Sequence, residues 1–255
     1  MIKALSPAAQ VLFFIFLVVF MSITGELVWT LSISSVVSAE TFLKADLSDP
    51  RIYLSLVFFS QVFSFFLAFL LFLRLSGDQI HDLILLKKSK AQFIALTALL
   101  ALTALFFFPL LEWLNEPLRH LLPNAFLERE AITNELQSNL IFSDDTIQYL
   151  FLMITMAVLP AIFEELVFRG FLIHKMMASG ISENGAIWMS AAIFALSHFQ
   201  PLKFLAMFAL GAALGFIYRK FGNIKYSMLF HFFINGSQIT VGYLTASGII
   251  GGGWL

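Results

Sequence analysis

Apolar residues come in long unbroken runs along this chain, and polar residues collect in the intervals between them. Each run approaches the roughly 20 residues that carry a helix across the hydrocarbon layer of a membrane. The pattern predicts an all-α, polytopic transmembrane helical bundle of about seven spans, over 9–35, 52–73, 93–114, 147–168, 185–199, 202–218 and 226–244. The tail 246–255, with Gly251-Gly252-Gly253, is too short to span. No internal repeat stands out, which argues against a transporter built from inverted halves. The chain reads as one integral membrane unit, 1–255, with N-terminal helices in 1–143 and a motif-bearing core in 144–245.

Composition agrees with this reading and narrows the function. The chain is 60% hydrophobic with 31 Phe and only 12% charged residues, against about 25% charged in soluble domains. A net charge of −1 without a basic stripe gives no sign of a nucleic-acid partner. With no cysteine there is no disulfide framework, thiolate metal site or cysteine nucleophile. One Lys precedes a first apolar run too long for a cleaved leader, so that span is expected to be retained. An N-terminus in the cytoplasm puts Lys3, Arg74, Lys87, Lys88, Lys90, Lys175, Arg219, Lys220 and Lys225 inside. Lys44, Arg51, Arg119, Arg129 and Lys203 then fall outside, and the positive-inside rule favours this orientation. The interval 115–145 is expected to be an acidic outer loop, and Ser143-Asp144-Asp145 to cap the helix after it. From Asp78 to Lys88 the chain reads either as a short helix on the inner leaflet or as a solvated connector.

Chemistry concentrates where charge interrupts apolar runs. Glu164, Glu165 and Arg169 sit in span four, where each charge costs roughly 2.5–3.5 kcal/mol near the centre and so needs a partner or a job. Glu165 and Arg169 are four apart and can pair on one face. Glu164 is turned by about 100° from Glu165 and has no local partner, which makes it a candidate general base. His231 and Asn235 project from one face of span seven, and His198 closes span five ahead of Gln200-Pro201. If those helices meet, a carboxylate, two imidazoles and an amide converge in a bundle core. Such a set can activate water and hold an oxyanion. The same Glu164, His198 and His231 could instead hold a divalent metal such as zinc with an open position for water. Against that, the His-Glu-x-x-His spacing is missing and the donors come from three helices, so the need for a cofactor stays open. Glu26 is left unassigned, and Gly211 and Gly215 mark a packing face. Glu164 and His231 fall near the cytoplasmic ends of their spans, whereas His198 ends a span that began there. Span five must therefore be broken, tilted or displaced.

Glu164-Glu165-Leu-Val-Phe-Arg169-Gly170, Phe194-Ala-Leu-Ser-His198 and His231-Phe-Phe-Ile-Asn235 resemble, in this order, the three motifs of the CAAX protease and bacteriocin-processing family. This CPBP or Abi family comprises intramembrane glutamate- or metallo-type peptidases and includes the type II CAAX prenyl endopeptidases. The resemblance runs from span four to span seven, and 1–143 add nothing to it. The family's common eighth span has no counterpart before Leu255. The resemblance implies an intramembrane endopeptidase with Glu164 and His198 polarising water and His231 and Asn235 donating to the oxyanion. Glu165 and Arg169 would hold Glu164 in place, in a cavity open to the cytoplasm. The implied partners are the lipid bilayer and a membrane-associated peptide, either CAAX-type prenylated or a leader peptide, in a bacterial-type inner membrane. Two rivals use the same residues: a non-catalytic membrane scaffold or immunity protein of this fold, and a proton-coupled transporter.

Overall fold

A computed structural model describes residues 2–36 and 49–251; Lys44 and the end of the glycine-rich tail lie outside the described residues. The fold is an all-α helical bundle, and among the described residues there is no strand. Helix α1 is Pro7–Val36. Helix α2 joins Pro50–Gln61, a π-helical stretch Val62–Leu67 and Ala68–Ser76. Then follow α3 (Ala91–Asn115), α4 (Asn124–Ile141), α5 (Thr146–Ala178), α6 (Glu183–Ser197), α7 (Phe204–Phe221) and α8 (Ile224–Ala246).

Five of these helical segments, in α1, α2, α3, α5 and α7, are long and apolar enough to cross a membrane. The protein is an integral membrane protein. The other two expected spans are helices that fall short for different reasons. Helix α6 has 15 residues, or about 22 Å at 1.5 Å per residue, less than the ~30 Å of a hydrocarbon core. Helix α8 has 23 residues, but His231, Asn235 and Gln238 dilute its apolar character.

The expected outer loop 115–145 is corrected by the structure. A 3₁₀ turn, Glu116–Leu121, leads into the 18-residue α4. This segment is tied down: Asn115 Nδ2 donates to Pro201 O, and Leu202 N donates to Glu130 Oε2 at 3.3 Å. Burial pushes the Glu130 carboxyl above its usual range, against the lowering by that hydrogen bond. The cap before α5 forms as the residues predict, with Asp145 Oδ1 accepting from Ile147 N and Gln148 N.

Successive spans alternate in direction, so the bundle has two chemically different ends. At the basic end, the segment after Asp78 holds a short helix and is bonded to the bundle. A four-residue helix, Ile80–Leu83, leads into a strap whose Leu85 O accepts from Ile224 N at 3.0 Å. Lys87 N donates to Gly222 O at 3.0 Å, and Lys175 Nζ pairs with Asp78 at 2.7 Å. Aromatic rings fill the bundle above this strap. Phe14, Phe72 and Phe171 meet at centroid distances of 4.5–5.6 Å, and Phe93 stacks on Phe221 at 4.5 Å. A Cβ on Gly211 would lie 2.9 Å from Ala191 Cα, so only glycine lets α6 and α7 touch there. Outward-facing Phe16 and Leu27 on α1 and Phe106 and Phe107 on α3 give the apolar exterior that lipid contact requires.

Candidate active site

Helix α5 is irregular around its charged residues. The regular turns Leu159–Glu165 lie between two π-helical stretches, Met153–Val158 and Leu166–Leu172. Such stretches are rare and recur at functional sites. Behind the site, Arg169 is fully buried. Its Nη1 donates to Glu165 Oε1 at 2.9 Å and its Nη2 to Gly211 O at 3.0 Å, while the guanidinium lies 4.7 Å from the Phe194 ring. One cation thus joins α5, α6 and α7, and a buried charge survives because it is paired and hydrogen-bonded.

His231 Nδ1 lies 2.9 Å from the same Glu165 Oε1. A carboxylate only accepts, so Nδ1 is the donor, and Nε2 is left for other work. His198 is fixed in the same way: its Nδ1 is 2.7 Å from Phe194 O and must donate to that carbonyl, leaving Nε2 as the free ring nitrogen. The next residue, Phe199, has φ +52°, a strained backbone value for a non-glycine residue. That turn ends α6 and hands the chain to Gln200-Pro201.

Glu164 is 5% exposed. It has no partner on its own helix face, but it has a distant one: Gln61 Nε2 on α2 donates to Glu164 Oε1 at 3.1 Å. Its Oε2 is buried with no hydrogen-bond partner among the described residues. Asn235 Nδ2 donates to Met156 O at 2.9 Å, which leaves the second N–H and Oδ1 of the amide available.

Glu164, His198, His231 and Asn235 all line one hollow of about 580 Å³, within the range of enzyme and ligand sites. Glu165 and Arg169 stand behind its wall. Helix α6 makes the convergence possible by being short. It starts at the basic end and stops inside the bundle, so His198 ends level with the middle of the 33-residue α5. A short α6 thus puts His198 on the same wall as Glu164. The remaining wall comes from residues the motifs did not reveal. Gln61, Glu26, Glu112, Arg129, Gln137 and Lys203 all face the hollow. Glu26, unassigned by sequence, therefore has a place. Gln61 could have been noticed only as an amide in the apolar run 52–73.

The wall residues lie towards the end of the bundle that carries α4, whereas the N-terminal start of α1 lies at the basic end. The three metal donors suggested by the sequence share the wall. However, among the described residues no three His, Asp or Glu side chains gather closely enough to hold one ion.

With these three motifs on one wall, the comparison with known families is direct. Residues 146–237 match the family model described as Type II CAAX prenyl endopeptidase Rce1-like. No curated protein and no solved structure matches the chain. The matched segment contains every motif residue from Glu164 to Asn235, while Gln61, Glu26 and Arg129 reach the hollow from outside it.

Proposed function

We propose that the protein is an intramembrane endopeptidase that hydrolyses a peptide bond of a membrane-associated polypeptide. One observation carries this reading. The unpartnered Glu164 Oε2 is buried on the wall of the hollow that His198, His231 and Asn235 also line. The match to a family of CAAX-type intramembrane proteases supports the same chemistry.

In the proposed reaction a water molecule sits between Glu164 Oε2 and His198 Nε2. Its oxygen attacks the substrate carbonyl carbon as its proton passes to Glu164. General base catalysis of this kind contributes typically 10²–10⁴-fold. The oxyanion that forms accepts hydrogen bonds from His231 Nε2 and the second N–H of Asn235. Each such donor is worth about 10²–10³ in rate. For His231 to donate from Nε2 while Nδ1–H stays on Glu165, the ring must be an imidazolium, with the Glu165 carboxylate as its counter-charge. Collapse breaks the C–N bond, and Glu164 returns the proton to the departing amine. Arg169 and Gly211 hold Glu165, Glu165 holds His231, and Gln61 holds Glu164. The dispersed placement of the three metal donors gives no ligand set, so no step is routed through an ion.

The test compares polypeptide termini in cells that produce the intact chain with those in cells producing Glu164→Gln. A peptidase gives new termini that vanish in the variant. A scaffold keeps its cellular effect in Glu164→Gln, and a transporter loses flux without any new terminus; either outcome removes the reading.

A further inference from the structure

The two ends of the bundle differ in charge and in openness, and the two differences together fix the side from which the hollow is reached. Lys87, Lys88 and Lys90 lie between α2 and α3, and Arg219, Lys220 and Lys225 lie at the α7–α8 junction. Lys and Arg in short loops beside spans set orientation, while acidic residues contribute little. That end is the cytoplasmic one by this rule. It is also shut: the strap 84–90 is bonded across it to Gly222 and Ile224, Lys175 is locked to Asp78, and Phe93 stacks on Phe221. Among the described residues, none at that end lines the hollow, whose wall towards the other end includes Glu112, Arg129, Thr133 and Gln137.

We propose that the hollow opens to the extracytoplasmic face, and that its substrates are peptides presented from that side of the membrane. The substrate clause rests on the peptidase reading; the sidedness does not. A prenylated C-terminus held on the cytoplasmic leaflet does not reach such a mouth, whereas an exported or membrane-anchored peptide does. The rim suits a polar segment. The Arg129 guanidinium lies 5.7 Å from the Phe199 ring, and neither Arg129 nor Lys203 is held in a salt bridge among the described residues. Glu112 supplies the opposite charge on the same wall.

The chain has no cysteine, so single cysteines report side directly in the full-length protein. Glu128→Cys on the outer surface of α4 and Gln137→Cys on the wall are placed at one end; Lys88→Cys and Lys220→Cys are placed at the other. Intact cells are treated with a membrane-impermeant maleimide, then permeabilised and treated again. Two sites at each end keep the test decisive if one variant fails to fold, and labelling after permeabilisation confirms that each is present. The expected result is labelling of positions 128 and 137 in intact cells, at least tenfold above positions 88 and 220, which label only after permeabilisation. The reverse pattern, equal labelling at both ends, or labelling at neither end before permeabilisation overturns the proposal. Labelling reads orientation whether or not the chain cleaves anything, so its failure is distinct from that of the peptidase reading, which Glu164→Gln tests.

Discussion

The two halves of this bundle use the same few polar residue types to opposite ends. In the half towards the basic end, Arg169 meets a carboxylate, a backbone carbonyl and an aromatic face, and rings close around it. In the other half, Glu164 keeps one oxygen without a partner and faces about 580 Å³ of open space. Glu164 and Glu165 are neighbours in sequence, yet one belongs to each half. Glu165 Oε2 and Arg169 Nε also lack a hydrogen-bond partner among the described residues, but they lie behind the wall; the Glu164 oxygen is on it and so is available for chemistry. The separation of Glu164 and Glu165 by one residue means that the rigid half directly positions the reactive one, through the Glu165–His231 bond of 2.9 Å.

Substitutions in the two halves should therefore fail in different ways. Arg169→Ala removes the partner of a buried carboxylate, and breaking a buried pair costs about 3–5 kcal/mol. Thermal unfolding in detergent should show a large fall in Tm, with activity lost because the fold is lost. Asn235→Ala should lower kcat by about 10²–10³. Its stability should fall by only about 1 kcal/mol for the missing bond to Met156, so a paired measurement of rate and Tm separates the two. Gln61→Ala should reduce kcat about tenfold, the equivalent of one ordinary hydrogen bond, with KM unchanged because Gln61 positions Glu164 rather than the substrate. A rise in KM alone would place Gln61 among the binding residues instead.

The smallest effect concerns Glu130, whose carboxyl burial holds above its usual range. Because its folded value lies above the unfolded one, its protonated form favours the fold. That contribution is present at acid pH and lost as pH rises through the folded value. Glu130→Gln keeps an acceptor for Leu202 N. It should raise Tm slightly at alkaline pH, with the difference from the intact chain vanishing at acid pH. An equal Tm difference at both pH values would contradict the role of burial.

Much of this arrangement can be read from the chain, and the exceptions have physical causes. Ionisable residues in apolar runs stand out because they are expensive there, and a spacing of four residues states a shared helix face for His231 and Asn235. Local rules of this kind found the motif residues and the Asp145 cap. Long-range pairing has no such signal: the bond from Gln61 to Glu164 crosses 103 residues, and one amide in an apolar helix does not announce its partner. Helix α4 escaped notice because its mixture of Glu128, Glu130, Glu135 and apolar residues gives no long hydrophobic run. How His198 comes level with span four was not legible, because Pro201 marks where α6 stops but not how deep in the bundle that stop lies. Only the 15-residue length of α6 beside the 33-residue α5 sets that depth.

The most direct test of a hydrolytic hollow is cleavage by the purified protein in lipid vesicles, in water enriched with heavy oxygen. The assay would use a polypeptide whose new terminus appears in cells with the intact chain. The account predicts one heavy oxygen in the new C-terminal carboxyl group, and a rate about 10²–10⁴-fold lower for Glu164→Gln at unchanged Tm. Cleavage by Glu164→Gln at the rate of the intact protein would contradict it.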